Sequence, residues 1–109
     1  MQINIDIYEK YLKERYGGWA TEQGLFLKLV EEIGEVAEVL NMRSGSKKAT
    51  DGDLTCTLAE ELCDMIHYII AIAAINGIDL TSAILEKDKR GSLKYNHDIN
   101  LRQFIASQK

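Results

Sequence analysis

Acidic residues fall in two short runs of otherwise apolar, helix-patterned sequence: Glu31-Glu32-Ile33-Gly34-Glu35 and Glu60-Glu61-Leu62-Cys63-Asp64. Glu32 and Glu35 are three apart, as are Glu61 and Asp64. On an α-helix each pair therefore points the same way, separated by about 60° of turn and about 4.5 Å of rise. Facing the two helices together makes four carboxylates converge, and like charges that close repel unless a cation holds them. Hard oxygen donors grouped in this way suit Mg²⁺ or Mn²⁺, and an ion that keeps some of its waters also takes a substrate phosphate. Such a site suits a reaction at a phosphate. Cations neutralise a dense anion and lower the pKa of a bound water, and carboxylates on rigid helices hold those cations in fixed geometry.

A single Glu-x-x-Glu is most often a solvated helix face. The pairing is what distinguishes these two. Each cluster borders an apolar stripe, so the charges lie near a helix-helix contact, where repulsion and desolvation are costly without compensation. Asp64-x-x-His67 raises the rival of a di-iron carboxylate bundle, but that arrangement wants Glu-x-x-His on two helices, and the only other histidine, His97, lies in the tail. Zinc held by Cys56, Cys63 and His67 fails on geometry, because positions i, i+7 and i+11 lie too far apart along a helix axis to close on one ion.

The elements that must position these acids follow from periodicity and caps. Ile5, Tyr8, Leu12 and Tyr16 predict a first helix over 5–16, broken by Gly17-Gly18. Thr21 caps a second helix to about Met42, with Leu25, Leu29, Ile33, Val36 and Leu40 as its apolar stripe. Residues 43–53 are polar and patternless and read as a mobile loop carrying Lys47 and Lys48. A third helix starts after Asp53 or at a Thr57-x-x-Glu60 capping box. It runs through Leu58, Leu62, Met65, Ile66, Ile69 and Ile72 to a stop at Asn76-Gly77. Asp79 caps a fourth helix from Leu80 to about Arg90, ending at Gly91. In the tail, Leu101, Phe104 and Ile105 suggest a short amphipathic turn that docks on the body or on a partner.

The chain has 109 residues, no proline, 46% hydrophobic and 28% charged residues, which fits one compact domain over 1–109. Long helices in so short a chain leave apolar surface uncovered, so self-association is expected. The formal net charge of −4 is opposite in sign to that of a general nucleic-acid binder; an anionic nucleotide still binds if cations bridge it. Cys56 and Cys63, in one apolar stretch, read as buried thiols in a reducing compartment. Ile69 to Ile75, the longest apolar run, is too short to span a bilayer, and no signal-peptide pattern opens the chain. A cytoplasmic protein with no membrane partner is the expectation.

The run Leu29-Val30-Glu31-Glu32-Ile33-Gly34-Glu35-Val36-Ala37-Glu38, followed by Glu60-Glu61-Leu62-Cys63-Asp64, resembles the Glu-x-x-Glu and Glu-x-x-Asp signature of MazG-like nucleoside triphosphate pyrophosphohydrolases. The likeness covers most of residues 19 to 90, with Cys63 standing where a glycine is common in relatives. It implies an all-α, four-helix bundle-like fold that forms homodimers or homotetramers through helix packing. It also implies Mg²⁺-dependent cleavage of a (deoxy)nucleoside triphosphate between the α and β phosphorus atoms, in the housecleaning of non-standard or excess deoxynucleotides. By matched position Glu32, Glu35, Glu61 and Asp64 are the metal ligands, and Glu31 orients or deprotonates the attacking water. Glu38 and Glu60 stay unassigned, and the number of ions stays open.

Substrate contacts are sought among residues near these motifs. Trp19, in a glycine-flanked loop, either stacks on a nucleobase or packs as a lid on the bundle. Gln23 and Lys28 follow it, placed to read a base or approach a phosphate. Lys87 and Arg90 share a helix face and, with Lys94, Tyr95 and Asn96, form a patch that either contacts phosphate or complements a helix C-terminus. The competing function is a non-catalytic helical module that binds a nucleotide or a protein.

Overall fold

The computed structural model describes residues 1–45 and 51–108, and of residues 51–56 only the backbone. Among them the chain is all-α, with α1 (Ile5–Tyr16), α2 (Glu22–Arg43), α3 (Asp51–Ile75), α4 (Leu80–Lys94) and α5 (Leu101–Ser107). Lys47 and Lys48 lie outside the described residues, as does the side chain of Cys56.

The caps explain most boundaries. Asn4, Thr21 and Asp79 each accept a hydrogen bond from a backbone N–H of the first turn of α1, α2 and α4, satisfying donors the helix cannot. α3 ends in a Schellman turn: Gly77 takes φ 66°, Ile78 N–H reaches Ala73 O at 3.0 Å, and Gly77 N–H reaches Ala74 O. Two expected ends move. α3 begins at Asp51, ahead of both expected starts. α4 continues through Gly91 to Lys94, because Asn96 at φ 56° supplies the left-handed position and His97 N–H closes on Ser92 O at 2.9 Å. A glycine inside a helix costs only about 1 kcal/mol, so Gly91 alone does not stop one. The tail turn is a helix, α5, whose first N–H, that of Leu101, donates to Asp88 Oδ2 at 2.6 Å.

α2 and α3 form the longest contact, and α1 packs on α3. Residues that meet across the α2–α3 pair run in opposite senses. Phe26 and Ile72 line one hollow, Lys28 and Tyr68 another, and Glu32 approaches Glu61 and Asp64, so the helices are antiparallel. The core lies at the α1 end, where Leu12, Tyr16, Leu25, Ile70, Ala71 and Ala74 are buried together. α4 bends away from α3 by 105°. It is held by α1, with Glu9 accepting from Leu80 N–H at 3.0 Å and Asp6 from the Thr81 hydroxyl at 2.6 Å. Three helices thus form the bundle while α4 and α5 splay from it. No single described helix is long and apolar enough to cross a membrane.

The stripes that face inward differ from those expected. On α2 the inward positions are Leu25, Leu29, Glu32, Val36 and Val39, while Ile33 and Leu40 join Phe26 and Val30 on a second, exposed stripe. On α3 the side facing α2 carries Glu61, Met65, Tyr68 and Ile72, and Leu62, Ile66 and Ile69 are exposed. Cys63 is exposed and free, contrary to the expected buried thiol. It falls beside that uncovered stripe, where no tight helix packing in this chain demands a smaller residue.

Candidate active site

Glu32 and Glu61 occupy inward positions of the two stripes at the same height on α2 and α3, so the acids stand in the helix-helix contact itself. One carboxylate oxygen each from Glu32, Glu61 and Asp64 lie within 4.8 Å of one another. Glu32 Oε2 and Glu61 Oε2 are buried and meet no hydrogen-bond donor. Two carboxyl groups have no donor of their own unless one is protonated, so a bond between these acids must use a proton they share. The electrostatics point the same way. The Glu61 carboxyl is pushed above the ordinary range, first by the hydrogen bond with Glu32, with burial and the Glu32 and Asp64 charges adding to it. Glu35 is also raised, first by its hydrogen bond with Glu61, then by the Glu61 charge, burial, and the charges of Asp64 and Glu31. Glu35 thus adjoins the trio through Glu61 and lies outside it.

Orphaned, buried acceptor oxygens with mutual repulsion form a donor set that fits a hard divalent cation. The residues that would hold it are Glu32, Glu61 and Asp64, with Glu35 beside them. Glu31 stands outside the trio. It is exposed, one helical turn before Glu35, with Lys28 Nζ at 3.5 Å from its Oε2. Glu60 is exposed, away from the cluster.

A cavity of about 490 Å³ opens beside the acids, lined by Arg15, Tyr16, Trp19, Thr21, Lys28 and Tyr68 among others. Its walls are three aromatic rings and its rim carries two cations. Lys28 joins it to the carboxylates through Glu31, and Tyr68 lies one turn beyond Asp64. Burial is the main reason the Tyr68 hydroxyl titrates above its usual range, with Lys28 and Glu32 both close enough to act on it. Trp19 is 70% exposed, and its indole N–H donates to Arg15 O at 2.7 Å. Sequence reasoning named Trp19 and Lys28 for this region but missed Arg15, Tyr16 and Tyr68; of these, Tyr16 has the spacing of a core position on α1. The signal for Tyr68 was its position four residues after Asp64, one turn along the same face.

Gln23 lies off this cavity, on a hollow with Glu22, Phe26 and Ile72. The basic patch is farther away. Lys87 and Tyr95 line a hollow on α4 with Asp88, Ser92 and His97, Lys94 lies over the Tyr95 ring at 5.4 Å, Arg90 is exposed, and Asn96 forms the cap that ends α4. α4 packs on α1 and α5 and makes no more than marginal contact with α2 or α3, so one chain does not bring these residues to the acids. His67 is not among the clustered ligand atoms; its Nε2 lies 2.7 Å from the Tyr16 hydroxyl, so the grouped donors are carboxylates alone.

The chain matches the MazG nucleotide pyrophosphohydrolase domain over residues 20–91, from the turn before α2 into α4. Human dCTP pyrophosphatase 1 is 33% identical over 87 residues, which cover 77% of this chain and 46% of that protein. The chain thus spans about half the length of these curated relatives, the mouse protein of the same name included at 45%. The uncharacterized protein YpjD of Bacillus subtilis (strain 168) is 31% identical over 111 residues, which cover 100% of this chain and 84% of YpjD. Among solved structures, iMazG from Vibrio DAT 722 matches with a TM-score of 0.63 at 30% identity, over 87% of this chain and 100% of that one. Sequence, helical fold and paired acidic motifs agree, and this chain belongs to the MazG nucleotide pyrophosphohydrolase family.

Proposed function

We propose that this chain is a Mg²⁺-dependent nucleoside triphosphate pyrophosphohydrolase that releases pyrophosphate and leaves the nucleoside monophosphate. The observation that carries the reading is the pair of buried, donorless carboxylate oxygens of Glu32 and Glu61 in the α2–α3 contact. Apolar residues there would stabilise the fold better, so the acids have another use. A bound Mg²⁺, or Mn²⁺ in its place, would neutralise charge on the triphosphate and acidify a water. The family's metal dependence and the dCTP pyrophosphatase relatives support the same chemistry.

The chain's own residues divide the work. Glu32, Glu61 and Asp64 would hold the cation, with Glu35 beside them. Glu31, a carboxylate not used in the trio, accepts a proton from water as its oxygen bonds to the α phosphorus. The bond from that phosphorus to the α-β bridging oxygen breaks, and pyrophosphate leaves with the electron pair. Lys28 keeps Glu31 oriented and lies toward the phosphates. Trp19 and its aromatic neighbours take the base; the human relative's name, a dCTP pyrophosphatase, makes a pyrimidine deoxynucleotide the first substrate to try. Clearing excess or non-standard deoxynucleotides in the cytoplasm is the role we assign to this reaction, without a nucleic-acid polymer or a membrane.

The complete site needs a second copy of the chain. Accessible surface is 8436 Å², against about 6,100 Å² expected for a compact monomer of this size, and the radius of gyration is 17.1 Å, against about 13 Å. Phe26, Val30, Ile33 and Leu40 on α2 and Leu62, Ile66 and Ile69 on α3 are all exposed, a face too large for a lone soluble chain. A dimer, or a tetramer of paired dimers, that covers it brings the partner's α4 patch (Lys87, Arg90, Lys94, Tyr95 and Asn96) toward the acids. Pyrophosphate release across a nucleotide panel with Mg²⁺, for the native chain and for Glu35→Gln and Asp64→Asn, tests the reading. Turnover that persists without metal, or with no loss in the variants, sinks it. Tight nucleotide binding by calorimetry with no product would favour the non-catalytic module.

A further inference from the structure

Tyr16 and His67 form a polar contact between α1 and α3 that the proposed mechanism leaves unused. The Tyr16 side chain is buried, at 8% exposure, and its hydroxyl lies 2.7 Å from His67 Nε2. The His67 ring is packed among aromatic edges, with centroids 5.6 Å from Tyr16, 5.0 Å from Tyr68 and 6.4 Å from Tyr8. Burial chiefly, and then the Arg15 charge, pull His67 below its ordinary range, against the Asp64 charge. The imidazole tautomer sets the direction, the Tyr16 hydroxyl donating to a bare Nε2 or accepting from Nε2–H; either way the bond ties the two side chains.

Filling this contact with two apolar side chains would avoid desolvating two polar groups. What the polar pair adds is direction. Tyr16 is a wall of the cavity, and its ring is fixed at both ends, by its Cα at the end of α1 and by its hydroxyl on α3. Trp19 leans on that ring at 5.6 Å and Arg15 lies over it at 5.7 Å. His67 is one turn from Asp64 on the same helix. The hydrogen bond therefore ties the aromatic wall to the helix that carries two of the clustered acids, Glu61 and Asp64.

We infer that the Tyr16–His67 hydrogen bond is a positioning device that sets the aromatic wall of the cavity at a fixed distance from the carboxylate cluster, and so determines how well a base fits while its phosphates sit at the acids. This rests on the pyrophosphohydrolase reading. Neither residue touches the reacting atoms. Their loss weakens recognition of the base and leaves the chemical step alone.

The test compares nucleotides with inorganic tripolyphosphate, an inhibitor with no base. Tyr16→Phe keeps the ring and removes the tether; KM for the best triphosphate should rise roughly three- to tenfold, the size of one hydrogen bond. The kcat should stay within about twofold, and inhibition by tripolyphosphate should not change. His67→Leu should do the same, the double variant should add nothing, and His67→Gln, whose amide can donate to or accept from the hydroxyl, should keep KM near the native value. Trp19 is the only tryptophan, so its fluorescence on titration with nucleoside monophosphate gives a binding readout independent of turnover, and Tyr16→Phe should weaken that binding by the same factor. An unchanged nucleotide KM, or tripolyphosphate inhibition that weakens in step with it, overturns the inference while leaving the activity standing. A native chain that neither hydrolyses nor binds any nucleotide overturns the underlying reading and this inference with it.

Discussion

At the end of the α2–α3 contact nearest α1, the inward positions are Leu25, Tyr68 and Ile72, backed by Leu12, Ala71 and Ala74. Seven residues further along α2 the same stripe carries Glu32, and the position across from it on α3 is Glu61. The helices, the spacing and the approach are common to both ends. One end buries apolar surface and gains transfer free energy. The other sets like charges against each other and leaves two carboxylate oxygens without a donor. The contrast separates two duties along one helix pair: the apolar end holds the geometry, and the acidic end sacrifices stability for a site that only a cation completes.

The sharpest way to break the contrast is to neutralise the acidic end. Glu61→Gln or Asp64→Asn should lower turnover by roughly 100-fold or more, the scale of losing one preorganised charge contact, and should raise the metal-free thermal midpoint. Pyrophosphate release and calorimetry on the same samples check both signs. A fall in activity accompanied by a lower midpoint would mean that these acids support the fold instead. At the other end, Leu12 is fully buried, and Leu12→Ala should cost about 2–5 kcal/mol in a denaturant titration. A loss well under that range would show that the core lies elsewhere.

Metal should then make the two ends alike. Mg²⁺ at 100 times its dissociation constant should stabilise the native chain by about 2.7 kcal/mol, with no such gain in Glu61→Gln. The pH dependence sharpens this. Glu35 and Glu61 titrate above the ordinary 4.5 in the metal-free fold, so the fold binds their protons more tightly than the unfolded chain does. That contribution is fully present below about 4.5 and is lost as pH rises through the raised folded-state values. The metal-free midpoint should fall across that window, and Mg²⁺ should flatten the slope near neutrality. Asp79, lowered by its hydrogen bonds to Ser82, has the opposite sign: its contribution is present above its unfolded value and is lost as pH falls through its lower folded one. The smallest expected effect is at the cap of α2, where Thr21 accepts from Gly24 N–H at 3.0 Å. Thr21→Ala should cost about 1 kcal/mol, read from the unfolding midpoint.

Much of this was legible because helices announce themselves locally. Thr21, Asp79 and Asn76-Gly77 mark ends through hydrogen bonds and backbone angles that involve only nearby residues, and they stand where expected. Gly91 misled because composition alone does not say whether a glycine takes a positive φ; Asn96, five residues on, takes it instead. The acid spacing likewise pointed to convergence, and Glu32, Glu61 and Asp64 do meet. Their standing inside the contact was not legible, because α2 carries two apolar stripes. Leu25, Leu29, Val36 and Val39 compete with Phe26, Val30, Ile33 and Leu40, and periodicity scores both as a core face.

The sequence by itself determined most helix ends, which carboxylates share a helical face and that hard-cation chemistry suits them, since each depends on spacing within a few turns of one chain segment. Only the tertiary structure decided which stripe turns inward, that Tyr16 finds His67 across 51 positions of chain, and that the α4 cations stay apart from the acids in one chain. Those outcomes depend on how helices rotate and cross when they pack. That balance sums over all contacts at once, and no local pattern encodes it.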